Sequence, residues 1–349
     1  PPPASTTMGE SSIHSLSRRT LVLMLTYGIA SASMLVVNKA AITIIPEPSL
    51  LLLTQVGSTA LLVAIPASMG ITPSAVRLVP DAATAKAYFM VALVFLATIY
   101  CNIRMLQYVG VNAFVVMRCS TPLVVSVLDY VLMGRELPSR RSAAALAGVL
   151  ACGSLYVLLR MRAATGAASA GDGDAGGRVA AAGMFWSAAW FVSFLTDMLF
   201  VKHVCDTHPA NGMERTLYQN ALATPVLALA LAVGADGSGS ASEAAGTLVS
   251  EITGLAMVLA SCLAGLCLSY TGLSLRSEVS STAFAVLGVV CKMGSIILNE
   301  LFVDPERDLF RLLVVVGVIV CSSQYSQAPK RPTEPQRLVE GELAGDEKR

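Results

Sequence analysis

Charge is scarce in this sequence: Asp, Glu, Lys and Arg together make up 13% of its 349 residues. A soluble domain carries about a quarter, so a water-facing globular fold is excluded at the outset. Histidine is scarcer still, and His14, His203 and His208 stand at no spacing that would hold a metal or complete a triad. Nothing in that set supports hydrolysis or metal chemistry. Seven of the eight cysteines (Cys101, Cys119, Cys152, Cys262, Cys267, Cys291 and Cys321) fall in apolar stretches with no paired spacing. That argues against a disulfide framework or a zinc site and for small packing residues. The net charge of +1 identifies no partner, because the charges are sorted by position and not pooled.

What abounds is apolar surface, at 54% of the residues and a mean hydropathy of +0.66. The expected fold class is therefore an all-α membrane protein. Apolar windows of about 20 residues, the length that crosses a bilayer, fall near 20–43, 49–70, 87–106, 111–133 and 142–159. Five more lie near 179–202, 214–234, 248–270, 279–303 and 310–326. Ten spans leave both termini on one side. The polar lead of residues 1–19 enters a first span too long for a signal-peptide core and without a convincing cleavage site, so that span reads as retained. With the termini cytoplasmic, the cytoplasmic flanks hold thirteen basic residues, Arg18, Arg19, Arg135, Arg140 and Arg141 among them. The opposite loops hold five, Arg160, Arg162, Arg178, Arg307 and Arg311. This is the bias that fixes orientation during insertion.

The segment GVLACGSLY at 148–156 returns as GVIVCSSQY at 317–325, and AFVVM at 113–117 as AFAVL at 283–287, in each case about 170 residues later. Two copies of one unit are implied. Five spans is an odd number, so the second copy enters the membrane inverted. The reading is thus two inverted five-helix repeats, 20–160 and 179–326, with a substrate site near the midplane between them. The Gly-, Ala- and Ser-rich stretch within 161–178 suits a mobile linker, and 327–349 reads as a disordered cytoplasmic tail. Asp172 and Asp174 form a D-x-D that a sugar-transferring enzyme would use on a metal. In a Gly-rich linker without supporting carboxylates, solvated polarity is the simpler account.

Ionisable groups inside apolar spans cost about 2.5 to 3.5 kcal/mol at mid-bilayer on insertion scales, so they face a cavity or a partner. Lys292 lies deep in the ninth span and shares one helix face with Gly288, Ser295 and Asn299. That stripe either walls an aqueous cavity, with the ammonium meeting phosphate as a point charge, or holds a buried pair with Glu300. In the first span Tyr27, Ser31 and Asn38 share a face, and Tyr27 could stack on a base or sugar; Lys39 can snorkel to water. Arg118 and Asp129 of the fourth span stand too far apart to pair directly, and Arg118 either lines the cavity or meets another helix. Tyr218, Gln219 and Asn220 open the seventh span, where the amides either read the edges of a base or join helices. Asp197 and Glu251 read as helix partners.

Ten spans, the Asn38–Lys39 pair and the late Gly288-to-Lys292 motif resemble the nucleotide-sugar transporters of the drug/metabolite transporter superfamily, over residues 20–326. Among these the GDP-mannose and other GDP-sugar transporters are most similar. In that group an FYNN motif is associated with nucleotide recognition and GALNK with the sugar-proximal part of the site. The first is matched here by Leu217, Tyr218, Gln219 and Asn220, and the second by Gly288, Val289, Val290, Cys291 and Lys292. Tyr27 and Ser269 fall where the family has ligand-facing tyrosine and serine, and Phe284 where it has a tyrosine. The losses at Gln219, Phe284 and Cys291 remove polar contacts worth about 1–3 kcal/mol each in a buried site.

The resemblance implies a Golgi antiporter, not an enzyme, exchanging a GDP-sugar for a nucleoside monophosphate by alternating access. Its partners would be those two ligands and membrane lipid, with a homodimer left open; no nucleic acid, metal or cofactor is expected. A plastid-type organic phosphate translocator, in a plastid or ER membrane, is the alternative within the class. The absence of a second basic residue beside Lys292 argues against it. A membrane glycosyltransferase using Asp172 and Asp174 is the alternative outside it.

Overall fold

The computed structural model describes residues 17–44, 48–72, 75–109, 111–164, 174–234, 252–302 and 309–331, with the side chains at 35, 36, 38–44, 48, 111–113, 160–164, 174–180, 252–255 and 298–302 left out of that description. Asn38, Lys39, Asn299, Glu300, Asp172, Asp174 and Glu251 therefore fall, as side chains, outside the described residues.

Among the described residues ten α-helices occupy the ten apolar windows: α1 Arg18–Ile44, α2 Pro48–Ser68, α3 Ala82–Tyr108, α4 Val111–Leu132, α5 Arg140–Ala164, α6 Asp174–Thr207, α7 Gly212–Gly234, α8 Ile252–Glu278, α9 Ser281–Phe302 and α10 Leu309–Ser323. Seven of them, α2 to α8, carry windows long and apolar enough to cross a membrane, and Ser281–Ile297 and Leu309–Ser323 are shorter apolar helices. Helices are the expected solution, because a span must satisfy its own backbone hydrogen bonds where no water can. Large apolar side chains such as Leu25, Ile29, Leu62 and Ile65 face outward, as lipid-contacting residues do.

The helix starts are set by short polar residues. Asp81 caps α3, its carboxylate accepting from Thr84 N at 3.1 Å. Asn211 and Glu214 form a reciprocal capping box on α7, with both bonds at 2.9 Å. Ser139 and Ser280 do the same for α5 and α9, accepting from Ser142 N and Ala283 N. Asp129, at the end of α4, accepts from Thr282 N and Oγ1 at 3.0 and 2.7 Å and so ties α4 to the start of α9.

The helices pack as matched pairs. α1 lies against α8 and α3 against α6; α2 crosses α8 as α3 crosses α7; α4 meets α5 as α9 meets α10; α1 touches α9 as α4 touches α6. The contacts of α2 with α7, α4 with α9 and α5 with α10 join members of the same rank in the two sets of five, while the packing of α7 on α8 has no matching contact of that strength between α2 and α3.

One end of the bundle is stitched closed. Thr20 Oγ1 donates to Glu278 at 2.6 Å and Arg19 pairs with the same carboxylate at 3.2 Å, while Arg77 pairs with Glu214 at 3.2 Å. Residues 327–331, expected to belong to a free tail, instead run along the α4–α5 turn. Glu136 N donates to Pro329 O at 3.0 Å, Arg331 N to Gly134 O at 2.9 Å, and the Arg331 guanidinium sits 3.7 Å from the centre of the Tyr130 ring.

Candidate functional site

A cavity of about 330 Å³ lies among α1, α2, α3, α6, α7, α8 and α9. Of the residues singled out in the sequence, Tyr27, Gln219, Asn220, Ser269 and Phe284 line it. The Tyr27 and Phe284 rings meet at 5.3 Å, tilted by 54°. Gly272 makes room for this pair, since a Cβ there would come within 3.2 Å of the Tyr27 ring. Asn220 Nδ2 donates to Thr216 O and to Ser269 Oγ, both at 2.8 Å. With both amide protons engaged, its carbonyl oxygen is the group left for a ligand, and the Ser269 hydroxyl keeps its own proton to donate. These atoms offer acceptors and donors beside two aromatic faces.

Tyr218 turns the other way, as a neighbour of Gln219 on a helix must. It is buried, its hydroxyl donates to Arg77 O at 2.7 Å, and its ring packs edge-on against Tyr88 at 5.5 Å.

Arg118, Gly288, Cys291 and Lys292 are not among the residues lining this cavity but form a second cluster near Tyr27. A Cβ on Gly288 would lie 3.6 Å from Arg118 Nη2, and one on Gly28 3.8 Å from the Cys291 sulphur. The Arg118 guanidinium covers the Phe194 ring at 4.1 Å. Arg118 and Lys292 repel each other, and among the described residues neither has a carboxylate at ion-pair distance.

Sequence reading passed over Gln55, Thr59 and Arg276, and took Asp197 only as a helix partner, yet all four line the cavity. Gln55 and Thr59 stand four residues apart in an otherwise apolar span, a spacing that marks one polar helix face. Gln55 Nε2 donates to Ser261 Oγ at 2.5 Å. Asp197 does pair across helices, accepting from Arg276 Nη2 at 2.7 Å. Asp197, well inside an apolar stretch of α6, was a legible signal; Arg276, in the last turn of α8, was not.

No protein-family model matches the chain. Compared with curated proteins, it is 29% identical over 312 residues to GDP-fucose transporter 1 of Arabidopsis thaliana, covering 88% of this chain and 85% of that protein. The chain is a relative of nucleotide-sugar transporters. A GDP-mannose transporter of the same plant is 28% identical, covering 89% of this chain and 80% of its own length. A UDP-galactose/UDP-glucose transporter is 25% identical, covering 91% and 93%. All three relatives are transporters, and this multi-pass membrane chain is similar to them over most of its length.

Proposed function

We propose that the protein is a nucleotide-sugar antiporter of the Golgi membrane, with cytoplasmic termini, carrying a GDP-sugar in exchange for a nucleoside monophosphate. The observation that carries this reading is the cavity bordered by polar side chains from both sets of five helices, with two buried cations nearby that have no carboxylate at ion-pair distance among the described residues. In this reading the amides of Gln219 and Asn220 with Ser269 meet the base, Tyr27 and Phe284 offer stacking surface, and Lys292 with Arg118 meets phosphate across Gly288. The resemblance assigns Asn38 and Cys291 to the same site. Two of the three relatives named above are GDP-sugar transporters, which favours guanine over uracil.

The matched helix contacts support two inverted repeats, α1–α5 and α6–α10, exchanging conformations in alternating access. The stitched end, cytoplasmic by the basic-residue bias, corresponds to the state closed to the cytoplasm. Exchange in place of free flow follows from charge: an empty carrier must reorient with Lys292 and Arg118 unneutralised, whereas a phosphate-bearing ligand offsets them.

Purified protein in liposomes tests both cargo and coupling. Labelled GDP-mannose or GDP-fucose should enter GMP-loaded vesicles much faster than empty ones. Competition by GMP exceeding that by UMP supports guanine, and competition by phosphoenolpyruvate alone would point to an organic phosphate carrier. Equal uptake with and without internal GMP would contradict antiport.

A further inference from the structure

One ion pair at the cavity is unused by the reading above. Arg276 Nη2 donates to Asp197 Oδ2 at 2.7 Å and Nη1 to the Asp197 main-chain oxygen at 3.3 Å. The two side chains are 14% and 8% exposed, and both border the cavity. The guanidinium carbon lies 4.7 Å from the centre of the Phe284 ring, which in turn meets Tyr27. The other ion pairs of the described residues, Arg19–Glu278, Arg77–Glu214, Lys202–Asp206 and Lys330–Asp206, border no part of it.

Charge decides what this pair can bind. Among the described residues Arg118 and Lys292 have no carboxylate at ion-pair distance, and they suit phosphate. Arg276 is compensated, so a phosphate gains little net attraction there and is repelled by the Asp197 carboxylate. A neutral polyol meets the opposite situation. Each of its hydroxyls can donate and accept, so the carboxylate accepts from one while the planar guanidinium donates to its neighbour. The aromatic wall alongside offers a face for the C–H surface of a sugar ring. Phe284 has no hydroxyl of its own to contribute.

We propose that Arg276 and Asp197, laid against the Phe284 ring, form the element that reads sugar hydroxyls and decides which sugar is carried. This rests on the nucleotide-sugar reading. Both groups are needed: the acid positions the guanidinium through two bonds and supplies the acceptor that the guanidinium lacks.

The test is equilibrium binding of GMP, GDP-mannose and GDP-fucose to the purified full-length protein. The double variant Asp197→Asn with Arg276→Gln keeps hydrogen-bonding groups without stranding a buried charge, and Arg276→Lys keeps the charge but loses the fork. In both, affinity for GMP should stay within about twofold, while affinity for the preferred GDP-sugar falls about tenfold and the preference between the two sugars shrinks. Retained GMP binding also reports that the variants are folded. Equal losses for GMP and GDP-sugar would put the pair on the nucleotide and overturn the proposal. An unchanged sugar preference would leave it purely structural and overturn it as well. A wild-type protein that binds none of the three removes the transporter reading itself, an outcome distinct from either.

Discussion

Along the seam between α5 and α10 the two copies of the repeated motif touch each other like for like: Gly148 stands against Cys321 of the second copy, and Gly317 against Cys152 of the first. Beside the cavity the copies also meet, but not alike. Arg118 follows AFVVM and Gly288 follows AFAVL, so they hold matched places in the repeat, yet one is a cation and the other has no side chain. Across the α4–α9 contact they face each other: a Cβ on Gly288 would lie 3.6 Å from Arg118 Nη2. Two arginines there would repel at close range, and two glycines would leave a hole. A self-complementary seam demands the same residues on both sides, whereas a ligand without two-fold symmetry needs different ones. Sequence likeness between the copies thus survives at the seam and has been lost where the site is proposed.

The hardest blow to the seam is Gly148→Leu. Even a Cβ at this position would lie 2.8 Å from the Cys321 sulphur, and the added branch has no space between α5 and α10. Overpacking of this kind costs about 1–3 kcal/mol or more, so thermal denaturation should show a fall of several degrees and a loss of monodisperse protein. A normal melting temperature would mean that the seam is looser than its glycines indicate.

On the cavity side, Lys292→Met should do the reverse. Removing a buried cation relieves its desolvation and its repulsion from Arg118. Nucleotide affinity should fall by about tenfold or more while the empty protein melts at a higher temperature. A variant that binds GMP as well as the wild type would detach Lys292 from phosphate recognition. A variant that melts lower would mean that the ammonium has a partner after all.

Ser269→Ala is a smaller perturbation of the same region. It removes the acceptor of the 2.8 Å bond from Asn220 Nδ2 and frees the amide to turn. A loss near 1 kcal/mol, about a fivefold drop in affinity for guanine nucleotides, is expected. Unchanged affinity would separate Asn220 from base recognition.

The ten helices were legible because their cause is local: a span must be apolar and long enough, and the windows required no knowledge of neighbours. α8 shows where that stops, since it runs on to Glu278, past the apolar window ending near 270, with Arg276 carried on its last turns. An arginine near a span end reads as a flanking anchor until Asp197 is known to stand opposite. That pairing joins α6 to α8 across 79 positions of sequence, and no spacing within either helix announces it. The same holds for Arg118, whose neighbour Phe194 comes from another helix. The tail misled for a related reason: 327–331 is polar and unpatterned, and only the α4–α5 turn it pairs with gives it a fixed course.

Tyr218→Phe separates what a helix face contributes from what its sequence motif suggests. Resemblance places Tyr218 with Gln219 and Asn220 as one recognition unit, but a rotation of about 100° per residue sends neighbours in different directions. Gln219 and Asn220 reach the cavity, while the Tyr218 hydroxyl closes onto Arg77 O at 2.7 Å and helps hold the segment before α3 against α7. Phenylalanine would keep the ring contact with Tyr88 and lose only that bond, at a cost of about 1 kcal/mol or less because the carbonyl can turn to water. The melting temperature should drop slightly and the affinity for GMP stay as it is. A large loss of affinity with an unchanged melting temperature would instead bring Tyr218 into the binding site, and the motif would then act as a unit through a rearrangement of the start of α7.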